Sequence, residues 1–124
     1  MNKLLASLLK AAGRQPDSVP VRRVRAEEAK RMMDSGPVTV VDVRRADEFA
    51  DGHILGALNL PNETIEQTAA ALPDQSAVIL IYCRSGRRSA QAAARLAHQG
   101  YTHIVDFGGI LNWPYEITAP ENPR

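Results

Sequence analysis

The chain has 124 residues, of which 44% are hydrophobic, so it is long enough for one compact domain with a hydrophobic core and too short for two. Its formal net charge of +1 gives no general reason to expect binding to nucleic acid or to a membrane surface. Twelve of the fifteen basic residues are arginine, which suits bidentate recognition of oxyanions. A single cysteine excludes an internal disulfide, and no cluster of cysteine and histidine has zinc spacing. We therefore expect no metal, no cofactor and a reducing, cytoplasmic setting.

The two ends of the chain differ in character from the rest. The N-terminal apolar stretch covers only residues 4–9 before a lysine interrupts it, which is shorter than the hydrophobic region of a signal peptide. With the polar, proline-bearing segment 14–20, it predicts a short helix or flexible arm and a linker over residues 1–20. Prolines near the other end predict a flexible tail over residues 116–124, which leaves residues 21–115 as the domain.

Strand-like and helix-like segments alternate from residue 21 onward. The strand-like segments are rich in β-branched and other apolar residues, and they are residues 21–24, 38–43, 57–60, 77–82 and 103–107. Helical patterns occupy residues 26–33, 63–72 and 89–99. We expect Gly36 to end the first helix in a left-handed conformation, Thr64 and Gln67 to form a capping box, and Gly100 to end the last helix.

This alternation predicts an α/β domain with a parallel sheet and helices on both faces. In such sheets ligands bind at the carboxyl ends of the strands. Cys83 falls at such an end, directly after the apolar run 77–82 and just before the last helical segment.

The segment 83–89, with the sequence CRSGRRS, places the only thiol on a turn that suits anions. Backbone N–H groups in such a loop point inward, and the N-terminus of the following helix adds partial positive charge. Three arginines and no acidic residue accompany the sulfur in this segment. These features favour the thiolate, which is the nucleophilic form.

Three motifs in one order resemble the signature of the rhodanese family. Residues 41–61 contain its D-V-R, E-F and G-H-I-x-G-A-x-N-x-P pattern, residues 83–89 resemble its active-site loop, and residues 108–113 are similar to its closing G-G-x3-W element. The resemblance covers roughly residues 21–115. It implies a rhodanese-like fold with a five-stranded parallel sheet flanked by helices. It also implies a cysteine persulfide that receives sulfur from a donor such as thiosulfate and passes it to cyanide or a thiol.

For this chemistry the predicted nucleophile is Cys83. The predicted substrate-binding residues are the six that follow it, Arg84, Ser85, Gly86, Arg87, Arg88 and Ser89. Their inward N–H groups would stabilise the persulfide anion, and we expect one or two of the three arginine side chains to face the pocket. A thiolate nucleophile needs no histidine base, so none of the three histidines is assigned a catalytic role.

Two residues outside the loop are candidates for the pocket wall, and each has a structural alternative. Arg44 follows the second strand and either approaches the pocket or pairs with Asp47 or Glu48. Trp113 either lines the pocket or packs in the core. We expect Asp42 to bond local backbone groups at the end of its strand.

Loop length separates this interpretation from its nearest enzymatic rival. Cysteine phosphatases that share the fold present C-x5-R, which fits a tetrahedral phosphate, whereas Arg88 follows Cys83 as C-x4-R. A phosphatase or arsenate reductase is therefore disfavoured. A persulfide carrier or rhodanese-like binding module that serves a partner enzyme stays open, because carrier and catalyst use the same persulfide. The expected partners are a small-molecule sulfur donor and a thiol or cyanide acceptor, with a protein sulfur acceptor also considered.

Overall fold

The computed structural model describes residues 21–119, and the predictions for residues 1–20 and 120–124 lie outside this part of the chain. The strands within it are β1 (Arg22–Arg23), β2 (Thr39–Asp42), β3 (His53–Ile54), β4 (Leu58–Asn59), β5 (Ile79–Cys83), β6 (Ile104–Gly109) and β7 (Ile117–Thr118). The α-helices are α1 (Ala26–Ser35), α2 (Ala46–Asp51), α3 (Ile65–Thr68) and α4 (Arg87–His98). Short 3₁₀ turns flank α3, and another lies between β6 and β7.

Five of the described strands form one parallel sheet in the order β1-β6-β5-β2-β4. This confirms the parallel sheet that the alternating pattern and the motifs predict. Strand β5 lies at the centre, between β6 and β2, and Tyr82 of β5 is opposite Asp42 of β2. The carboxyl ends of the two strands therefore meet at one end of the sheet, and Cys83 lies there.

Hydrophobic layers cover both faces of the sheet, as predicted. On one face, Ile79 and Ile81 of β5 pack in a cluster with α3 and α4. On the other face, Leu80 and Tyr82 pack in a cluster with Ala29 of α1. Successive residues of β5 thus point to opposite layers, which explains why the whole strand reads as one apolar run.

Helix α4 packs closely on the sheet because its buried stripe is made mostly of small residues. The buried positions recur at the helical spacing of three and four, and they are Ser89, Ala92, Ala93, Leu96 and Ala97. This packing fixes the start of α4 beside the end of β5.

The helix ends differ from the sequence prediction. Helix α1 continues to Ser35, and the predicted left-handed cap is wrong because Gly36 is extended, with φ of −179°. The proline that follows Gly36 disfavours the helical region for it and explains the extended backbone. The helix predicted for residues 63–72 is one turn of α3 between two 3₁₀ turns. Thr64 lies inside the first turn and donates to the Pro61 carbonyl, so the predicted capping box is wrong.

Three described elements have no counterpart in the prediction: α2, β3 and β7. Strands β3 and β7 form a two-stranded antiparallel sheet in which Ile54 is opposite Ile117. Part of the segment predicted as a flexible tail from residue 116 is therefore a strand. Each of these strands has two residues, which is too short for a periodic pattern to reveal.

Candidate active site

Cys83 ends β5 and is almost fully buried, with 1% of its surface exposed. The N–H of Gly86 donates a hydrogen bond to the Cys83 Sγ, at 3.0 Å. Gly86 has φ of +114°, a conformation that glycine adopts without the penalty that a side chain would bring. The loop thus places one N–H donor directly on the sulfur. Glycine at this position allows the backbone to adopt the turn that the bond requires.

Helix α4 begins directly after this turn, with Arg87 as its first residue. The N–H of Ala90 donates to the Gly86 carbonyl at 3.2 Å. The N–H groups of residues 87–89 precede that bond and have no acceptor within the helix. Gly86, at the N-cap, has no side chain to cap them, and the first turn contains no acidic residue. The positive end of the helix dipole therefore begins at the loop with uncapped donors.

The backbone of strand β6 packs directly against the loop at Gly109. A Cβ atom at this position would collide with the Arg84 carbonyl and come within 2.7 Å of the Ser85 Cα, so only glycine permits the approach. The Arg84 carbonyl also accepts a hydrogen bond from the Leu111 N–H, at 3.2 Å. Sequence reasoning did not assign Gly109 to the site, although the paired glycines at 108–109 were the available signal.

The hydroxyl of Ser89 serves the loop itself. It is buried, and it donates to the carbonyls of Gly86 and Gly108 at 3.1 and 3.3 Å. The hydroxyl therefore ties the start of α4 to the turn and to β6, which leaves the backbone N–H as the group of Ser89 that could meet a ligand.

The three arginines of the loop have different surroundings. Arg84 and Arg87 are exposed, and neither side chain has an ion pair or a hydrogen bond within residues 21–119. Arg88 is partly buried, and its Nη1 and Nη2 donate to the Oε1 and Oε2 of Glu48 at 2.7 and 3.0 Å. Two guanidinium groups are thus available to an anion, whereas the third is bound by a carboxylate of α2.

This ion pair changes the pKa of both partners. The hydrogen bond from Arg88 is the main reason that the pKa of Glu48 falls to about 2, and the Arg45 N–H, which donates to the same carboxylate at 2.9 Å, adds to it. The hydrogen bond to Glu48 raises the pKa of Arg88, and the charge on Cys83 adds a smaller contribution in the same direction. Glu48 therefore stays ionised, and able to pair with Arg88, well below neutral pH.

Arg44 is buried at the carboxyl end of β2 and pairs with Asp42. Its Nε lies 3.1 Å from each oxygen of that carboxylate, and its Nη2 donates to Asp42 Oδ2 at 2.7 Å and to the Gly52 carbonyl at 2.6 Å. The predicted pairing of Arg44 with Asp47 or Glu48 is wrong, because strand β2 supplies a nearer carboxylate. Asp42 also accepts the backbone N–H of Arg44 at 2.9 Å, which confirms its predicted role at the strand end.

Tyr82 extends this buried network toward the cysteine. Its hydroxyl accepts the N–H of Ile54 at 3.0 Å. Burial raises the pKa of Tyr82 strongly, and its hydrogen bond to Asp42 acts in the same direction. The network therefore fixes the corner between α2 and β3 against the strand ends that carry Asp42 and Cys83.

A cavity of about 360 Å³ lies beside the loop. Its lining includes Arg44, one of the two candidates for the pocket wall. Leu111 and Ile117 are 60% and 44% exposed and give the cavity an apolar rim. The lining residues are Arg44, Glu48, Asp51, Gly52, Arg84, Ile110, Leu111 and Ile117.

Trp113 lies away from this cavity. Its ring packs against Phe107 and Tyr115, with centroid distances of 5.4 and 4.9 Å, in the hydrophobic layer that also contains residues of α1. Trp113 is not among the residues that line the cavity beside the loop, and its ring packs in the core, the alternative given for this residue. The chain after Gly109 turns the indole toward the face of the sheet opposite α4.

The histidines of the described residues lie in structural or exposed positions. His53 stacks on Phe49 with ring centroids 3.7 Å apart, and its Nδ1 hydrogen-bonds with the Phe49 carbonyl at 2.9 Å. His98 and His103 are exposed. Between residues 21 and 119, no group of three or more His, Cys, Asp or Glu side chains could hold a metal ion.

Known proteins provide the family assignment for this fold and loop. The model of the rhodanese-like domain matches residues 25–115. The chain belongs to the rhodanese-like domain family. It is 39% identical over 71 residues to thiosulfate sulfurtransferase PspE of Escherichia coli strain K12. This alignment covers 56% of this chain and 68% of the relative. It is 41% identical over 97 residues to a sulfurtransferase of Allochromatium vinosum, which covers 75% of this chain and 90% of the relative.

A solved structure described as a rhodanese with anions from Escherichia coli has a TM-score of 0.62 and 32% identity to this chain, and it covers 68% of this chain and 100% of that one. Together these similarities support a rhodanese-type sulfurtransferase, which acts on small-molecule sulfur donors and acceptors. No helix within residues 21–119 is long and apolar enough to cross a membrane.

Proposed function

We propose that this rhodanese-like domain transfers sulfane sulfur through a persulfide on Cys83, with thiosulfate as the donor. The Cys83 thiolate attacks the outer sulfur of thiosulfate, the S–S bond of the donor breaks, and sulfite leaves with the electron pair. Cyanide or a thiolate then attacks the outer sulfur of the persulfide, which releases thiocyanate or a new persulfide and restores the Cys83 thiolate. The observation that carries this proposal is the hydrogen bond from the Gly86 N–H to the Cys83 sulfur.

Backbone donors at the start of α4 support the persulfide step. The outer sulfur of a persulfide carries negative charge, and the N–H groups of residues 87–89 have no intrahelical acceptor. The helix dipole favours an anion at the same place. Preorganised donors of this kind stabilise developing charge without proton transfer, so the mechanism needs no histidine base. A cytoplasmic setting suits the proposal, because it keeps the single thiol reduced between cycles.

Arg84 and Arg87 are the side chains that would collect the donor. Thiosulfate is a dianion, and these two exposed guanidinium groups have no partner among the described residues. The Escherichia coli rhodanese structure similar to this chain is described as holding anions, which supports an anionic donor. Arg88 is engaged by Glu48, which further disfavours a phosphatase because such an enzyme uses the corresponding arginine to bind phosphate oxygens.

The apolar rim of the cavity favours a second candidate, a persulfide carrier that serves a partner protein. Leu111 and Ile117 are exposed beside Arg84, and cyanide is too small to use such a surface. A protein thiol acceptor with apolar neighbours would bury both side chains. Catalyst and carrier share the loading step and differ in the acceptor.

The test measures sulfite and thiocyanate separately after addition of thiosulfate and cyanide. We expect continuous release of both products from the natural chain and neither product from a Cys83→Ser variant. Release of one sulfite per protein without thiocyanate turnover would identify the carrier. Continuous turnover by the Cys83→Ser variant would contradict the proposed nucleophile.

A further inference from the structure

One ion pair joins the catalytic loop to a distant part of the chain. Glu48 lies on α2, and Arg88 is the second residue of α4, 40 residues later. Their side chains are 16% and 23% exposed, whereas the nearby pair of Arg45 and Asp47 is largely exposed. Partial burial and two parallel hydrogen bonds make this pair stronger and better oriented than an ordinary surface pair.

The carboxylate of Glu48 is itself held in place. Its Oε1 accepts the backbone N–H of Arg45 at 2.9 Å in addition to the bond from Arg88. The buried bonds of Arg44 to Asp42 and to the Gly52 carbonyl attach the two ends of α2 to the end of β2. Glu48 is thus a rigid acceptor rather than a mobile surface acid.

The bidentate bond fixes the guanidinium of Arg88 on the Glu48 side of the loop. Both terminal nitrogens of Arg88 are used, so they cannot also form a fork with a donor anion. Arg88 is the second residue of α4, which begins directly after Gly86, and the N–H of Gly86 binds the Cys83 sulfur. Glu48 therefore holds Arg88 at the start of the helix that adjoins the Cys83 loop, whereas Arg84 and Arg87 are exposed and have no side-chain bond within residues 21–119.

We propose that Glu48 is a positioning residue that holds Arg88 beside Cys83, so that Arg88 stabilises the anionic sulfur while Arg84 and Arg87 bind the donor. This inference rests on the proposed function, since it divides the three arginines between two parts of that reaction. The division assigns loss of Glu48 to the sulfur-transfer step and loss of Arg84 or Arg87 to donor binding.

The experiment follows loading of Cys83 by thiosulfate in a single turnover, over a range of thiosulfate concentrations. In Glu48→Gln, which keeps the shape and removes the charge, we expect the saturating rate constant to fall about fivefold, the order expected when one charge moves away from a partly solvated anion. The thiosulfate concentration that gives half the maximal rate should stay equal or fall, because the released Arg88 becomes available to the donor. Glu48→Asp, which keeps the charge, should recover part of the rate.

Glu66→Gln is the matched control. Glu66 pairs with Arg95, which lies near the other end of α4, at 3.7 Å, so this variant also removes a carboxylate partner of α4. It should load at the natural rate. Arg88→Ala tests the same pair from its other side, and adding Glu48→Gln to Arg88→Ala should cause no further loss.

Two results would overturn the assignment. One is natural loading rates in both Glu48→Gln and Arg88→Ala. The other is a fall in the loading rate constant, on adding Glu48→Gln to Arg88→Ala, that is as large as the fall caused by Glu48→Gln in the natural chain. Glu48 would then act without Arg88. Failure of the natural chain to load any sulfur would contradict the proposed function itself, so the two failures are distinguishable.

Discussion

Two helices that follow neighbouring strands begin in opposite ways. Helix α2 follows β2 and has Asp47 and Glu48 in its first turn, where Glu48 accepts the Arg45 N–H. Helix α4 follows β5 after Gly86 and has no acidic residue in its first turn. Strands β2 and β5 are adjacent and parallel, so both helix N-termini lie at the same end of the sheet. Acidic side chains satisfy the start of α2, whereas the N–H groups at the start of α4 have no side-chain cap, as the proposed binding of an anion requires.

The largest expected effect comes from loss of the buried ion pair that anchors α2. Asp42→Asn leaves the buried guanidinium of Arg44 without its carboxylate, and we expect the free energy of unfolding to fall by about 3 kcal/mol. Chemical denaturation measures this loss. Asp47→Asn, which removes an exposed partner of Arg45, is the matched control and should lower the free energy of unfolding far less. Equal losses in the two variants would show that the buried pair does not anchor α2.

The second variant displaces the loop that leads into α4. Gly109→Ala places a methyl group against the Arg84 carbonyl, and the loop must move away from β6. We expect sulfur transfer to fall about hundredfold, the size of effect that a displacement of about 1 Å can cause in an active site. Gly36→Ala is the control, since a Cβ atom there meets nothing within 4 Å and the backbone is extended. Natural activity in Gly109→Ala would show that the packing of β6 against the loop does not shape the site.

A third variant makes the start of α4 resemble that of α2. Arg87→Glu places an acid in the first turn of α4 and removes an exposed cation, so the KM for thiosulfate should rise about tenfold. Arg87→Ala should raise it less. Both effects should shrink at high salt, because the Debye length falls to about 3 Å at 1 M. Arg31→Glu makes the same charge change on α1 and should leave KM as it is. If the KM of Arg87→Glu equals that of the natural chain, the start of α4 does not contribute to binding of thiosulfate.

The smallest expected effect is the pH dependence of the pair between α2 and α4. The folded-state pKa of Glu48 is about 2, below its ordinary value of 4.5, so its contribution to stability is complete above about pH 4.5 and is lost as the pH falls toward 2. Between pH 6 and pH 2, the midpoint temperature of thermal unfolding should therefore fall more steeply for the natural chain than for Glu48→Gln. Parallel curves would mean that the ion pair does not contribute to folding stability.

The contrast between the two helices also explains what the sequence could predict. Strand β5 and helix α4 have long periodic patterns, and the loop between them is a contiguous segment, so local rules locate Cys83 and its donors. Helix α2 has six residues, and the partner of its Glu48 is 40 residues away. The approach of Gly109 to Arg84 likewise depends on packing between β6 and the loop. Contacts of this kind depend on the assembled sheet and leave no local pattern.

In the proposed mechanism, the uncapped start of α4 lets Cys83 carry a sulfur anion. Intact mass spectrometry after incubation with thiosulfate and removal of the donor tests it most directly, with Cys83→Ala as the control. We expect the natural chain to gain the mass of one sulfur atom, to lose it on addition of cyanide, and to show no gain in the alanine variant. An unchanged mass in the folded natural chain, or an equal gain in the alanine variant, would contradict the account.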